Sequence, residues 1–289
     1  MISVALLTIT LSVLMHVTWN LLARHVDSRC NYIWWAILAN NIILGPWAIW
    51  SLIQDVNWSS ALVLSMTISA FANGLYVVAL RQAYLYAPVA LVYPVARSSP
   101  VLIALWTWLF FNQSISDLGI LAIAINAFGL WIMASTAKAG DAARALPWML
   151  AAAFATSIYS ISDQHAVASL PSMGSQVGLV VSTEIFCFMV IAIFQWKQTG
   201  KFIPPCRPKL HFIVIGGLSL GLAYALTIRA MQWLPAAHVV AFTNLGIILA
   251  TLLSIWLMRE REHFQRRILA ALIITVSLVL LKIDVETLV

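Results

Sequence analysis

Charge is what this sequence has least of. Its 289 residues include 16 Lys or Arg and 10 Asp or Glu, so 9% carry charge, against roughly 25% in an ordinary soluble domain. A fold bathed in water on every side could not cover its surface at that ratio, and 62% of the residues are apolar. Cysteine is scarce as well. Cys30, Cys187 and Cys206 form no CxxC pair and suit neither a zinc site nor a disulfide framework, so free thiols are expected. No Walker pattern or other nucleotide motif occurs, which speaks against ATP drive. Few stretches between apolar runs exceed about a dozen residues, which leaves no room for a soluble domain. These absences exclude intrinsic disorder, a secreted disulfide scaffold and a nucleic-acid-binding domain. The basic excess belongs instead to loops that flank membrane spans. The first apolar stretch lacks a basic leader region and outruns a signal-peptide core, so it reads as a span.

What the chain does contain is long apolar runs. A helix needs about 20 residues to cross a bilayer. Runs broken by charge and turn residues predict ten helices, at about 3–22, 32–53, 59–81, 88–111, 117–136, 146–165, 175–196, 210–231, 235–258 and 264–283. The expectation is an all-α polytopic membrane protein in the inner membrane. Thirteen tryptophans fit that setting; Trp34, Trp35, Trp47, Trp50, Trp58 and Trp148 fall at span ends, where interfacial anchors sit.

Basic residues gather on one side. Arg24, Arg29, Arg81, Lys138, Arg144, Lys197, Lys201, Arg207, Lys209, Arg259, Arg261, Arg266 and Arg267 flank one set of turns, against Arg229 and Lys282 on the other. The positive-inside rule makes the first set cytoplasmic and both termini external. Cys30 and Cys206 then face the reducing side, consistent with unpaired thiols.

Sliding the chain against itself by 147 residues lays Gly74 over Gly221, Ala83 over Ala230, Pro88 over Pro235 and Val92 over Val239. A shift of 140 lays Trp19 over Tyr159, Asn20 over Ser160 and His25 over His165. The shared order of small-residue helix, short turn, proline and next helix implies two halves of five helices, residues 1–137 and 145–285, joined by 138–144. Five is odd, so the halves are inverted, a common plan of secondary transporters.

The stretch Ala83-Tyr-Leu-Tyr-Ala-Pro88-Val-Ala-Leu-Val-Tyr-Pro94, followed by Ser99-Pro100-Val101, pairs with Ala230-Met-Gln-Trp-Leu-Pro235-Ala-Ala. Together with the ten-span repeat and the polar turns Asn112-Gln113 and Arg259-Glu260, it resembles the EamA branch of the drug/metabolite transporter superfamily. Gln113 stands where the family often has Glu, and Phe242-Thr-Asn-Leu-Gly246 lacks the Ser-Pro of its repeat mate. The resemblance implies transport of amino acids, drugs, sugars or other metabolites, and many relatives are described with cytoplasmic termini, opposite to the charge count.

A charge at mid-bilayer costs at least about 2.5 kcal/mol to insert, so buried polar residues are the first candidates for a transport path. Glu184 is the acid deepest in a span, either a proton- or cation-responsive group or a carboxyl bonded to a neighbouring helix. Arg97, between Pro94 and Pro100 and after Tyr93, either clamps a substrate carboxylate or phosphate, or pairs with Glu184 or backbone. His238 and Asn244 lie near the repeat equivalents of Leu91 and Arg97; His238 reads as interfacial. His16, Trp19 and Asn20 share one helix face. Tyr159 and Ser160 are their counterparts, and Asp163, near a helix end, reads as solvated. Asn73, Tyr76 and Tyr224 complete the mid-depth set. Ala70-x3-Gly74 and Gly217-x3-Gly221 read as close-packing helix faces.

The functional expectation is a secondary transporter of a small metabolite, an amino acid or related carboxylate favoured, with export the expected direction. Efflux of hydrophobic cations through Glu184 is the alternative, weakened because the first span lacks the acid that small four-helix relatives use. A polytopic enzyme on lipid-linked substrates is the alternative of another class, and a receptor or scaffold a further one. No nucleophile–base–orienter set can be named for catalysis. No cofactor and no metal are expected. The expected partners are the substrate and the lipid bilayer, with a homodimer left open and nucleic acid excluded.

Overall fold

The computed structural model describes residues 2–112, 115–136, 141–249, 252 and 263–287. Gln113, Lys138, the turn 259–262 and most of the ninth span beyond residue 249 lie outside the described residues. Among the described residues the chain is helical with no strand. The helices are α1 (Ile2–Arg24), α2 (Tyr32–Asp55), α3 (Ser60–Tyr86), α4 (Val89–Ala96), α5 (Ser99–Phe111) and α6 (Asp117–Ala134). They continue with α7 (Ala142–Val167), α8 (Met173–Thr199), α9 (Leu210–Ala230), α10 (Ala236–Thr243) and α11 (Phe264–Thr287). Counting α4 and α5 as one span, nine helices among the described residues are long and apolar enough to cross a bilayer, and Ala236–Leu249 forms a shorter apolar helix. Their outer faces are apolar: Phe110 is 72% exposed, Trp131 65% and Trp50 64%. Lipid, not water, accommodates such a surface.

The chain packs as two compact units that interleave the sequence halves. Unit I is Met1–Ser3, Leu75–Ile161 and Trp233–Val289; unit II is Val4–Gly74 and Ser162–Gln232. The division falls within α3 and α7.

In unit II, α2 lies against both α8 and α9. Glycine permits this approach. A Cβ on Gly217 would stand 2.5 Å from the Ala36 carbonyl oxygen, and one on Gly221 would stand 2.3 Å from the Asn40 amide. On the other side of α2, a Cβ on Gly178 would meet the Ala48 oxygen at 2.8 Å. The small-residue face read from Gly217-x3-Gly221 is therefore a helix–helix contact, as expected. Trp34 is not an interfacial anchor. It is 6% exposed and packs on Trp35 and Phe188.

Two cysteines are not free. Cys30 and Cys206 form a disulfide with their Cα atoms 4.7 Å apart, which corrects the free-thiol expectation for that pair. They are 176 positions apart in sequence, a relation that local spacing cannot reveal. The α1–α2 and α8–α9 connections end up side by side because α2 packs between α8 and α9. Trp35 Nε1 donates to the Cys206 carbonyl at 3.2 Å. Next to Cys30, the Arg29 guanidinium bonds Asp27 and holds its carboxyl down at about 2, so this exposed turn stays doubly charged at neutral pH. Cys187 is buried and free.

In unit I, α6 lies along α11, and α10 packs on α5, α6 and α11. A Cβ on Gly129 would meet Ile274 at 2.7 Å, so α6 and α11 also approach through glycine. Asn126 Nδ2 donates to Ser277 Oγ at 2.9 Å across the same contact.

Candidate functional site

The fourth span does not run straight through. Pro94 and Pro100 each lack an N–H, and a proline ring clashes with the carbonyl four residues back. For Pro100 that residue is Ala96, the last residue of α4. The chain steps aside at Arg97 and Ser98, whose ψ values are near zero, and resumes as α5. The ninth span breaks in the corresponding place. Asn244, 147 residues after Arg97, turns with its N–H on the Ala241 oxygen at 3.0 Å, and the helix resumes at 245. Discontinuous helices are tolerated in membranes where the freed backbone is buried in protein or lines a cavity. The two breaks touch: Asn244 Nδ2 lies 3.5 Å from the Arg97 carbonyl oxygen.

Arg97 is half-buried and holds its charge with neutral partners. Its Nε and Nη2 donate to Tyr93 Oη at 3.1 and 2.8 Å, and Nη1 donates to Thr243 Oγ1 at 3.0 Å. Its Cζ also stands 5.1 Å from the Tyr93 ring centroid. Among the described residues of its own unit no carboxylate is paired with it. A guanidinium has five N–H donors. Three are used here, which leaves one on each terminal nitrogen. Tyr76 and Tyr159 meet edge to face at 6.0 Å and lie within electrostatic reach of Arg97. Asn244, fully buried, donates to Asn126 Oδ1 at 2.6 Å while its own Oδ1 has no partner. The site therefore offers an uncompensated cation, tyrosine rings and an orphaned acceptor. Buried polar atoms without partners call for water or a ligand.

One predicted candidate in this unit behaves otherwise. His238 is not interfacial. It is 1% exposed, and its Nε2 lies 2.8 Å from Asp284 Oδ2. Asp284 also accepts from Ser116 Oγ, the N-cap of α6. This is no catalytic triad, since the acid sits between Ser116 and His238, and the base does not reach the hydroxyl.

Unit II holds the remaining candidates. Glu184 is 7% exposed in mid α8; its Oε2 accepts from Asn40 Nδ2 at 2.7 Å and from Asn41 Nδ2 at 3.4 Å. Its Oε1 has no partner. Asp163 is fully buried, which corrects its reading as solvated. Ser69 donates to one of its oxygens at 2.5 Å and Tyr224 to the other. Asn73 donates back to the Ser69 carbonyl at 3.0 Å, so Asn73, Ser69, Asp163 and Tyr224 form one chain of bonds. His16, Trp19 and Asn20 are half-buried and bond within α1: Trp19 Nε1 to His16 Nδ1 at 3.1 Å and Asn20 Nδ2 to the His16 carbonyl at 2.7 Å. Sequence reasoning passed over Thr243, Asn126, Asn40, Asn41 and Asp284. For the asparagines the signal was present, since an amide in mid-span needs a partner.

Two interrupted helices thus meet at a guanidinium that has no acidic partner among the described residues of its unit. Residues 143–282 match the family model described as the EamA-like transporter family. That second half of the chain belongs to the EamA branch of the drug/metabolite transporter superfamily. A solved crystal structure is similar to this EamA protein over 99% of each chain, at 17% identity and a TM-score of 0.73, a likeness of fold. No curated protein matches its sequence. The family is one of membrane transporters of small molecules, so the polar clusters of this EamA chain belong to a multi-pass transporter.

Proposed function

We propose that the protein is a secondary transporter that exports a small carboxylate-bearing solute, an amino acid foremost, by alternating access of two inverted five-helix halves (1–137 and 145–285). One observation carries the substrate class: among the described residues the guanidinium of Arg97, inside a broken span, bonds only hydroxyl groups and keeps two N–H donors open. A carboxylate accepts such a pair, and the faces of Tyr76, Tyr93 and Tyr159 suit an ammonium or aromatic group. Counterflow in proteoliposomes tests this. Liposomes loaded with an unlabelled amino acid should accumulate the labelled one transiently; no accumulation across the amino acids would contradict the reading.

Glu184 supplies coupling. A carboxyl held only by two amides can exchange a proton without breaking an ion pair. Glu184→Gln is expected to keep counterflow and lose accumulation driven by a proton gradient. Equal loss of both would assign Glu184 to the solute path or to folding. The unpartnered Oε1 of Glu184 also favours a second reading, efflux of hydrophobic cations, for which protection against quaternary ammonium compounds, lost in Glu184→Gln, is the check.

For orientation, the basic loops are read as cytoplasmic and both termini as external. The Cys30–Cys206 bond argues the other way, because disulfides persist in oxidising compartments. Alkaline phosphatase fused to the C-terminus is expected to be active; an inactive fusion, with fluorescence from a cytoplasmic reporter in its place, reverses the topology.

A further inference from the structure

We propose that His238, Asp284 and Ser116 form a proton-binding site in unit I, separate from Glu184, whose occupancy sets the position of α10 and through it the grip on Arg97. His238 stands near the start of α10 and is 1% exposed, as is Asp284. With Nε2–H donating to Asp284, the other ring nitrogen is the place a further proton must go. That atom, Nδ1, is buried and has no partner. In this packing an N–H formed there would face no acceptor. Proton binding and the present position of α10 therefore oppose one another, and a ligand shifts a population only by such a difference between states. The protonated form favours an arrangement in which α10 moves to give Nδ1–H an acceptor or water.

The far end of the same helix holds the site. Thr243, which accepts from Arg97, and Asn244, which reaches the Arg97 carbonyl, follow His238 by about 7.5 and about 9 Å at an α-helical rise. A shift of α10 therefore changes which Arg97 donors are open. The charged surroundings are sparse. Besides Asp284, α11 carries the exposed pair Lys282–Glu286 near this end; α6 carries the exposed Asp117, and α5 has no ionisable side chain. Nothing among these described groups but Asp284 is bonded to the imidazole. Close packing adds a constraint: a Cβ on Gly119 would stand 2.7 Å from Asp284 Oδ2, so the carboxylate cannot retreat toward α6.

The link to Arg97 rests on the carboxylate-site reading, whereas the proton site does not. Its test is hydrogen exchange by mass spectrometry on the purified, full-length, ligand-free protein at two pH values that bracket the imidazole range, about pH 8 and about pH 5.5. With rates corrected for intrinsic pH dependence, residues 233–249 should exchange about tenfold faster in acid, with α8 and α9 unchanged. His238→Gln should remove this difference. Asp284→Asn, which keeps an oxygen for Nε2–H but not the negative charge, should remove it as well. A merely structural pair would lower the melting midpoint of both variants and leave the acid response intact. Unchanged exchange in the wild-type protein, or the same acid response in either folded variant, overturns the proposal. Because no solute is used, failure here leaves the Arg97 reading standing, and failure of solute binding leaves the exchange result standing.

Discussion

Arg97→Ala is expected to abolish solute recognition while leaving the empty protein as stable as before, or more so. The two open N–H donors would each make a charge-assisted bond to a carboxylate, worth about 1.5–3 kcal/mol apiece. Their loss amounts to about 3 kcal/mol or more, roughly a hundredfold or more in affinity. The stability arm follows from the same geometry. The guanidinium has no acidic partner among the described residues, so its desolvation is offset only by Tyr93, Thr243 and the tyrosine rings. Removing an uncompensated charge relieves that cost, the usual trade between function and stability at a binding site. Arg97→Lys keeps the charge but not the planar fork, so weakened rather than abolished recognition is expected. Melting midpoints with and without solute read both arms. A variant that melts much lower than the wild type and still binds would assign Arg97 to structure.

Gly217→Val is expected to prevent folding of unit II. Its Cβ would press on the Ala36 carbonyl oxygen at 2.5 Å and on Ala39 and Asn40 at 3.1 Å. Backbone cannot rotate away as a flexible side chain can. Nor can α2 back off, since Gly178 of α8 already lets it in on the other side to within 2.8 Å of a would-be Cβ. Overpacking of a well-packed site costs about 1–3 kcal/mol and more where backbone is the obstacle. The check is the monodisperse yield and melting midpoint in detergent, beside Phe110→Ala, which is 72% exposed and should change neither. A normal midpoint for Gly217→Val would mean that α2 and α9 are not in the contact described.

Nine of the ten spans and their approximate limits were legible because hydropathy alone decides them; the end of the span read at 235–258 lies outside the described residues. Even the faint breaks around 87–88 and 231–235 fell where length required. Pro94 and Pro100 flank the helix break at Arg97, and the 147-residue offset places its repeat at Asn244, but the spans read as 88–111 and 235–258 carried neither break, and no proline marks the second. What stayed hidden is what depends on partners far along the chain. Asp163 lies four residues from the end of α7 and reads as solvated until Ser69 and Tyr224 close over it. His238 reads as interfacial until Asp284, 46 residues later, meets it. Cys30 and Cys206 share no local pattern, and only the packing of α2 against α8 and α9 brings their loops together. Thr243 and Asn126 carry no charge, so nothing in composition marked them as the groups that hold Arg97 and Asn244.

The central claim is that Arg97 receives a carboxylate, and comparing amino acids with their carboxamides tests it most directly. The amides keep the shape, ammonium and side chain and lose only the anion. On the purified full-length protein, solutes that bind the folded state raise the melting midpoint. One or more amino acids should raise it, their amides should not, and Arg97→Ala should abolish the rise. Equal stabilisation by acid and amide, or stabilisation that survives Arg97→Ala, would contradict the claim.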